Sequence, residues 1–197
     1  MKLEQVEYAG WENNLRLSNG QIEVVATLDV GPRIIRCGFV GGQNLFKEFP
    51  EDTGKTGGGE WRNYGGHRLW HAPEVMPRTY YPDNAPVEHT WDGRVLTLTP
   101  PEEVGNRLQL SLSIEMDASA PAVKVTHRIR NTNTWPVELA PWCLSVMAPG
   151  GRLIFPQERF IAHGETYSAA RRLVLWPFAN MGDARYTWGE KYVQLRQ

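Results

Sequence analysis

An all-β chain folded as an antiparallel β-sandwich is what this sequence predicts, and three observations carry the prediction. Apolar residues recur with a period of two in one stretch after another. An Asp-Gly pair stands between two such alternating runs. No window sustains a 3.6-residue period, so fewer than about a tenth of the residues are expected in helix.

Taken in chain order, "QIEVVATLDV" puts Ile22, Val24, Ala26 and Leu28 on one face of an extended strand, because successive side chains alternate across a pleat. Gly31-Pro32 and Gly41-Gly42 punctuate the chain on either side of the next extended run. "EDTGKTGGGE" reads as a flexible hairpin tip or a loop at the mouth of a cleft. In "EHTWDGRVLTLTP" Asp92-Gly93 joins two strands, and Asp-Gly readily supplies the positive φ angles of a type I′ turn. "RLQLSLSIEM" then aligns Leu108, Leu110, Leu112 and Ile114, and "AVKVTHRIRN" aligns Val123, Val125, His127 and Ile129. Each is a strand with one buried face. Gly150-Gly151 marks a further turn, and "FANMGDAR" holds at most one helical turn. No linker, repeat or low-complexity tract splits the chain, so 1–197 is expected to form a single domain.

Composition narrows the function classes. Twenty-one Lys and Arg stand against 22 Asp and Glu for a net charge of -1, and the basic residues are scattered, which argues against a nucleic-acid partner. No apolar run approaches the ~20 residues of a membrane helix, and "MKLEQVEYAGWENN" lacks a signal-peptide core, so a cytoplasmic chain is expected. Cys37 and Cys143 each lie in an apolar strand-like run and are expected as buried thiols, not as a disulfide. "GKT" at Gly54 to Thr56 is not a phosphate loop, since Phe49 stands where that motif requires glycine. His67 and His71 would share a metal only on a helix. Four residues of strand span ~13 Å, and Pro73 argues against a helix there, so no metal or cofactor is expected.

The densest stretch of functional groups is "YGGHRLWHAPE", Tyr64 to Glu74. Gly65 and Gly66 allow a sharp turn or a close backbone approach to a ligand. His67, Arg68, Trp70, His71 and Glu74 follow at once. Indole faces and planar donors and acceptors suit a sugar, whose C–H patches pack on rings and whose hydroxyls need forked partners. The total of 8 Trp favours a stacking surface. His67, His71 and Glu74 are the candidates for proton transfer, because imidazole titrates near neutrality. Arg62, Arg68, Trp70, Trp142 and Arg33 are the candidates for sugar binding. His127 reads as a satisfied inward histidine, and His89 and His163 as surface groups.

The segments "TLDVGPRIIRCGFVGGQNLF", "WRNYGGHRLWHAPE" and "VKVTHRIRNTNTWPVELAPWCLSVMAPGGRLIFPQ", spanning about Leu15 to Gln157, resemble the galactose mutarotase-like (aldose 1-epimerase) superfamily, in an uncharacterised-domain branch. The resemblance implies a large twisted supersandwich with a sugar cleft on its concave face. It also implies ring opening at the anomeric carbon, by a late glutamate as base and a histidine as acid in a motif of the type N-H-x-Y-F-N-L. In the matching "ELAPWCLSVM" Trp142 stands at or near the histidine's place, and indole cannot protonate a ring oxygen. The strand bearing the glutamate would lie beyond "KYVQLRQ", so the resemblance implies either a fragment or a shortened relative, truncated at its C-terminus. Its last strand, near Lys191 to Leu195, would then be an open edge through which copies associate. Two functions follow: a sugar isomerase of the aldose 1-epimerase type with a rearranged acid and base, or a non-catalytic carbohydrate-binding or accessory domain that lost them.

Overall fold

The computed structural model describes residues 1–169 and 173–197. Among them the chain is all β, with antiparallel sheets and no helix. "FANMGDAR" forms turns, and among the described residues no helix is long and apolar enough to cross a membrane. Two compact units divide the chain at Ala148 and Pro149, and each is described by itself.

In the first unit, six strands make one sheet: β1 (Lys2–Tyr8), β2 (Trp11–Ser18), β3 (Ile22–Thr27), β4 (Arg33–Phe39), β5 (Gly66–Ala72) and, skipping four strands in sequence, β10 (Ala140–Val146), in the order β1-β2-β3-β4-β5-β10. The second sheet is the meander β6 (Glu88–Trp91), β7 (Val95–Thr99), β8 (Leu108–Met116) and β9 (Val123–Asn131). The sheets pack face to face over one apolar cluster. Leu17, Val24, Ile34 and Leu69 come from the first sheet, and Leu96, Leu98, Leu112 and Ile114 from the second. Each such side chain, fully buried, stabilises the fold by about 1.5–3 kcal/mol.

The period of two predicted these elements well. Along β8 the residues Leu108, Leu110, Leu112, Ile114 and Met116 are buried and their neighbours half-buried, and β9 turns Val123, Val125, His127 and Ile129 toward the core side. Two expectations are corrected. β3 is buried on both faces, because the first sheet carries a second apolar cluster on its other side, built from Trp11, Val25, Val30, Ile35 and Tyr64. The long segment between β4 and β5 holds that cover down, with the Trp11 indole donating to Lys55 O at 3.0 Å. The Asp92-Gly93 hairpin forms between β6 and β7. Only Gly93 takes a positive φ there, whereas a type I′ turn needs two such residues, and Asp92 Oδ1 accepts the Arg94 and Val95 N–H groups.

The second unit holds β11 (Arg152–Pro156), β12 (Tyr186–Trp188) and β13 (Tyr192–Arg196) in the order β11-β13-β12. The last strand is therefore no edge: β13 is paired on both sides, to β11 and to β12. The thiols also differ from expectation. Both are free, Cys37 is half-buried against the core, and Cys143, on the edge strand β10, is exposed.

Candidate functional site

The functional groups of "YGGHRLWHAPE" are carried mainly by β5, Gly66–Ala72, in the six-stranded sheet. Gly65 and Gly66, at φ +78 and +71, lead into β5, and a Cβ added to either would stand 2.1 Å from Lys47 O or 2.3 Å from Ile34 O. The glycines serve close backbone packing. Once the chain is extended, alternation sends His67, Leu69 and His71 toward the core side and Arg68 and Trp70 to the opposite face.

On the core side, His67 Nδ1 lies 2.7 Å from Ser145 Oγ, and His67 Nε2 lies 2.7 Å from His127 Nε2. One proton shared between two imidazoles requires that one ring accept. Burial, with the His127 and Arg33 charges adding, holds the His67 imidazole down at about 4, and burial also lowers His127. Both rings are neutral at physiological pH, and the three residues form a continuous hydrogen-bonded chain across β10, β5 and β9. His71, 1% exposed, is at the other end of β5. Neither of its ring nitrogens has a hydrogen-bond partner, and its Nε2 lies 3.7 Å from Glu103 Oε2.

On the opposite face Arg33 and Arg68 sit across from each other in the register of β4 and β5. Arg33, 0% exposed, donates to Gly65 O at 2.6 Å and pairs with Asp83 at 2.5 Å. The Arg68 guanidinium lies in the angle between two indoles, 3.9 Å from the Trp70 centroid and 5.1 Å from that of Trp61. Burial, and then the nearby Arg33 charge, lowers it to about 10, so it stays charged at neutral pH. Trp142, opposite Trp70 in the β10–β5 register, packs edge-on against it at 5.6 Å, and Tyr80 does so at 4.9 Å. The Tyr80 hydroxyl donates to Glu74, which raises the phenol's pKa. Trp70, expected on the rim of a cleft, is 8% exposed and covered by these rings.

At the C-terminal end of β5 the unit opens into a cavity of about 270 Å³. Its walls include Trp70, Tyr81, Asp83, Glu102 and Glu103, with Gly58 and Gly59 of the glycine-rich loop at one side. Each carboxylate is anchored. Arg33 holds Asp83, Arg107 pairs with Glu102 at 3.0 Å, and Asn106 Nδ2 donates to Glu103 Oε2 at 2.6 Å. Asp83 Oδ1 is buried without a hydrogen bond.

Of the residues singled out from sequence, Trp70 lines this cavity and His71 stands behind its Glu103 wall. Arg33 holds Asp83, and Arg62 donates to Gly57 O at 2.7 Å, next to the Gly58-Gly59 wall. Arg68 and Trp142 support Trp70 from outside the cavity. His67 and Glu74 are not brought into it: the first is tied to Ser145 and His127, the second to Tyr80. The carboxylate beside His71 is Glu103, at 3.7 Å. Asp83, Glu102, Glu103 and Tyr81 were missed. The signal available was "TPPEE", two rigid prolines followed by two acids directly after an alternating strand. Among the described residues no group of three or more His, Cys, Asp and Glu is gathered to hold a metal. No family model, curated protein or solved structure matches the chain.

Proposed function

We propose that the chain is a carbohydrate-binding protein of the galactose mutarotase-like type, with its sugar in the cavity at the end of β5. The observation that carries the reading is that cavity: about 270 Å³ bounded by Trp70 and Tyr81 and by three anchored carboxylates. Carboxylates accept from sugar hydroxyls, and aromatic walls take the C–H faces. At about 270 Å³ the cavity lies just below the usual range of ligand sites, ~300–1,000 Å³, which leaves room for nothing larger than one monosaccharide. Each hydrogen bond exchanged with water nets only ~0.5–1.5 kcal/mol, so affinity is in the millimolar range, about -4 kcal/mol.

The supersandwich architecture and a soluble cytoplasmic setting belong to the same proposal, as does non-catalytic binding as its leading form. A second reading, an isomerase acting at the anomeric carbon, is favoured by one observation. Glu103 lines the cavity with the His71 imidazole 3.7 Å behind it, and a carboxylate is a type of group that serves as the base for an anomeric hydroxyl. The binding reading is tested by titrating neutral hexoses and pentoses against tryptophan fluorescence. Saturable quenching in the millimolar range is expected, weakened in Trp70→Phe and Asp83→Asn. A flat response across the panel overturns the proposal. Polarimetry with a sugar that saturates separates the two forms: catalysed mutarotation, lost in Glu103→Gln, makes the protein an isomerase.

A further inference from the structure

Outside the cavity, the side chain whose needs are least met is Arg68. It is 6% exposed, and among the described residues it forms no ion pair and no hydrogen bond. Nε and Nη1 are shut off from solvent without an acceptor. Nη2 has no acceptor either, yet it is not shut off, and it is the nitrogen a ligand can reach. The guanidinium, a fork of five N–H donors, meets only the faces of Trp70 and Trp61, at 3.9 and 5.1 Å. Ring faces attract a cation, but they leave the fork without the oxygen acceptors it is shaped for.

The carboxylates around it are engaged elsewhere. Asp83 is held through Oδ2 by Arg33, and Glu74 accepts from the Tyr80 hydroxyl. Arg33 stands across from Arg68 in the β4–β5 register and adds a second cation to this face. Burial, and then that cation, lowers Arg68 without deprotonating it at neutral pH. Two guanidiniums therefore share one carboxylate. A buried charge is stable when it is paired and hydrogen-bonded, and the chain supplies Arg68 with neither. The adjoining Trp61 indole N–H is buried without an acceptor as well, so the unmet groups of both residues are donors.

The surroundings are aromatic. Trp70 meets Trp61, Tyr80 and Trp142 edge to face, with centroids 5.9, 4.9 and 5.6 Å apart. Trp61, Tyr80 and Trp142 are half-buried, so the cluster borders solvent while Arg68 is its buried cation. A carboxylate brings one charge and two acceptor oxygens. A phosphate brings more of both, and the rings hold no further donors for it.

We propose that this face is a binding site, separate from the cavity, for a small aromatic carboxylate of the benzoate kind. One carboxylate oxygen accepts from Arg68 Nη2, and the flat body lies against the Trp61, Tyr80 and Trp142 rings. The site is independent of the sugar reading, which neither supports it nor falls with it.

The test is calorimetric titration at neutral pH and constant ionic strength with benzoate, benzamide, acetate, glucuronate and inorganic phosphate. Benzoate is expected to saturate. Benzamide, which keeps the ring without the charge, and acetate, which keeps the charge without the ring, should each bind about tenfold or more weakly. Arg68→Met should lose benzoate binding, and Trp142→Leu should weaken it. The benzoate and benzamide comparison on the unmodified protein stands whether or not those variants fold. Benzamide as tight as benzoate overturns the pairing with Arg68, as does undiminished benzoate binding in a folded Arg68→Met protein. Acetate as tight as benzoate overturns the part given to the rings. Phosphate or glucuronate tighter than benzoate overturns the ligand class, and no saturation by benzoate overturns the site.

Discussion

Removing the carboxylate of Asp83 is expected to cost far more than a surface ion pair is worth. Arg33 is 0% exposed, and its guanidinium has two polar partners, the Asp83 carboxylate at 2.5 Å and Gly65 O at 2.6 Å, with the Tyr64 ring 5.2 Å away. In Asp83→Ala the charge stays buried and loses its counterion. Breaking a buried pair in this way costs about 3–5 kcal/mol. The Asp83 side chain is 20% exposed, so water can enter where the carboxylate stood, and the lower end, about 3 kcal/mol, is the expected value. For a unit of this size that is a fall of about 6–12 °C in midpoint, at roughly 2–4 °C per kcal/mol. Urea unfolding of wild type, Asp83→Ala, Arg33→Met and the double variant measures it. The cycle should return a coupling of about 2 kcal/mol or more, because the double variant no longer strands a charge. A loss below about 1 kcal/mol in Asp83→Ala, or a coupling near zero, would refute the claim that this pair holds the cavity wall to the sheet.

Gly66→Ala places a Cβ 2.3 Å from Ile34 O at φ +71 and should destabilise by at least ~2 kcal/mol, combining left-handed strain with a backbone clash; an unchanged denaturation midpoint would contradict it. Trp70→Ala should cost ~3–5 kcal/mol as a buried aromatic truncation, against about 1 kcal/mol for an exposed ring, which is why Trp70→Phe is the variant for binding work. Stability should also fall on acidification. His67 titrates near 4 in the fold and near 6.5 when unfolded, so between those values the unfolded chain binds more protons and stability drops as pH falls. The interval corresponds to about 3 kcal/mol, reduced to about 1–2 because the ring is in part accessible to solvent. Urea midpoints at pH 7.5 and 4.5 measure it, and a His67→Gln protein with the same pH slope as wild type would count against this account.

What the sequence determined by itself is local. Alternation of apolar residues in β8 and β9 decided that these are strands and which side of each is buried, because the pleat has a period of two whatever lies opposite. Asp92-Gly93 decided where the meander turns back, though not the turn's type, which depends on how Asp92 caps it. Pro73 set the end of β5, since proline has no N–H for the ladder. The tertiary structure decided everything that depends on what covers a face. β3 reads as amphipathic, yet both sides are buried because a segment distant in sequence folds over the outer one. "GHRLWHA" reads as one cluster of functional groups, yet as a strand it divides them by parity, His67 and His71 to one face, Arg68 and Trp70 to the other. The cavity lies beyond any local pattern: Gly58, Trp70, Asp83 and Glu103 come from four separate stretches, and only closure of the two sheets over their shared core brings those stretches to one end.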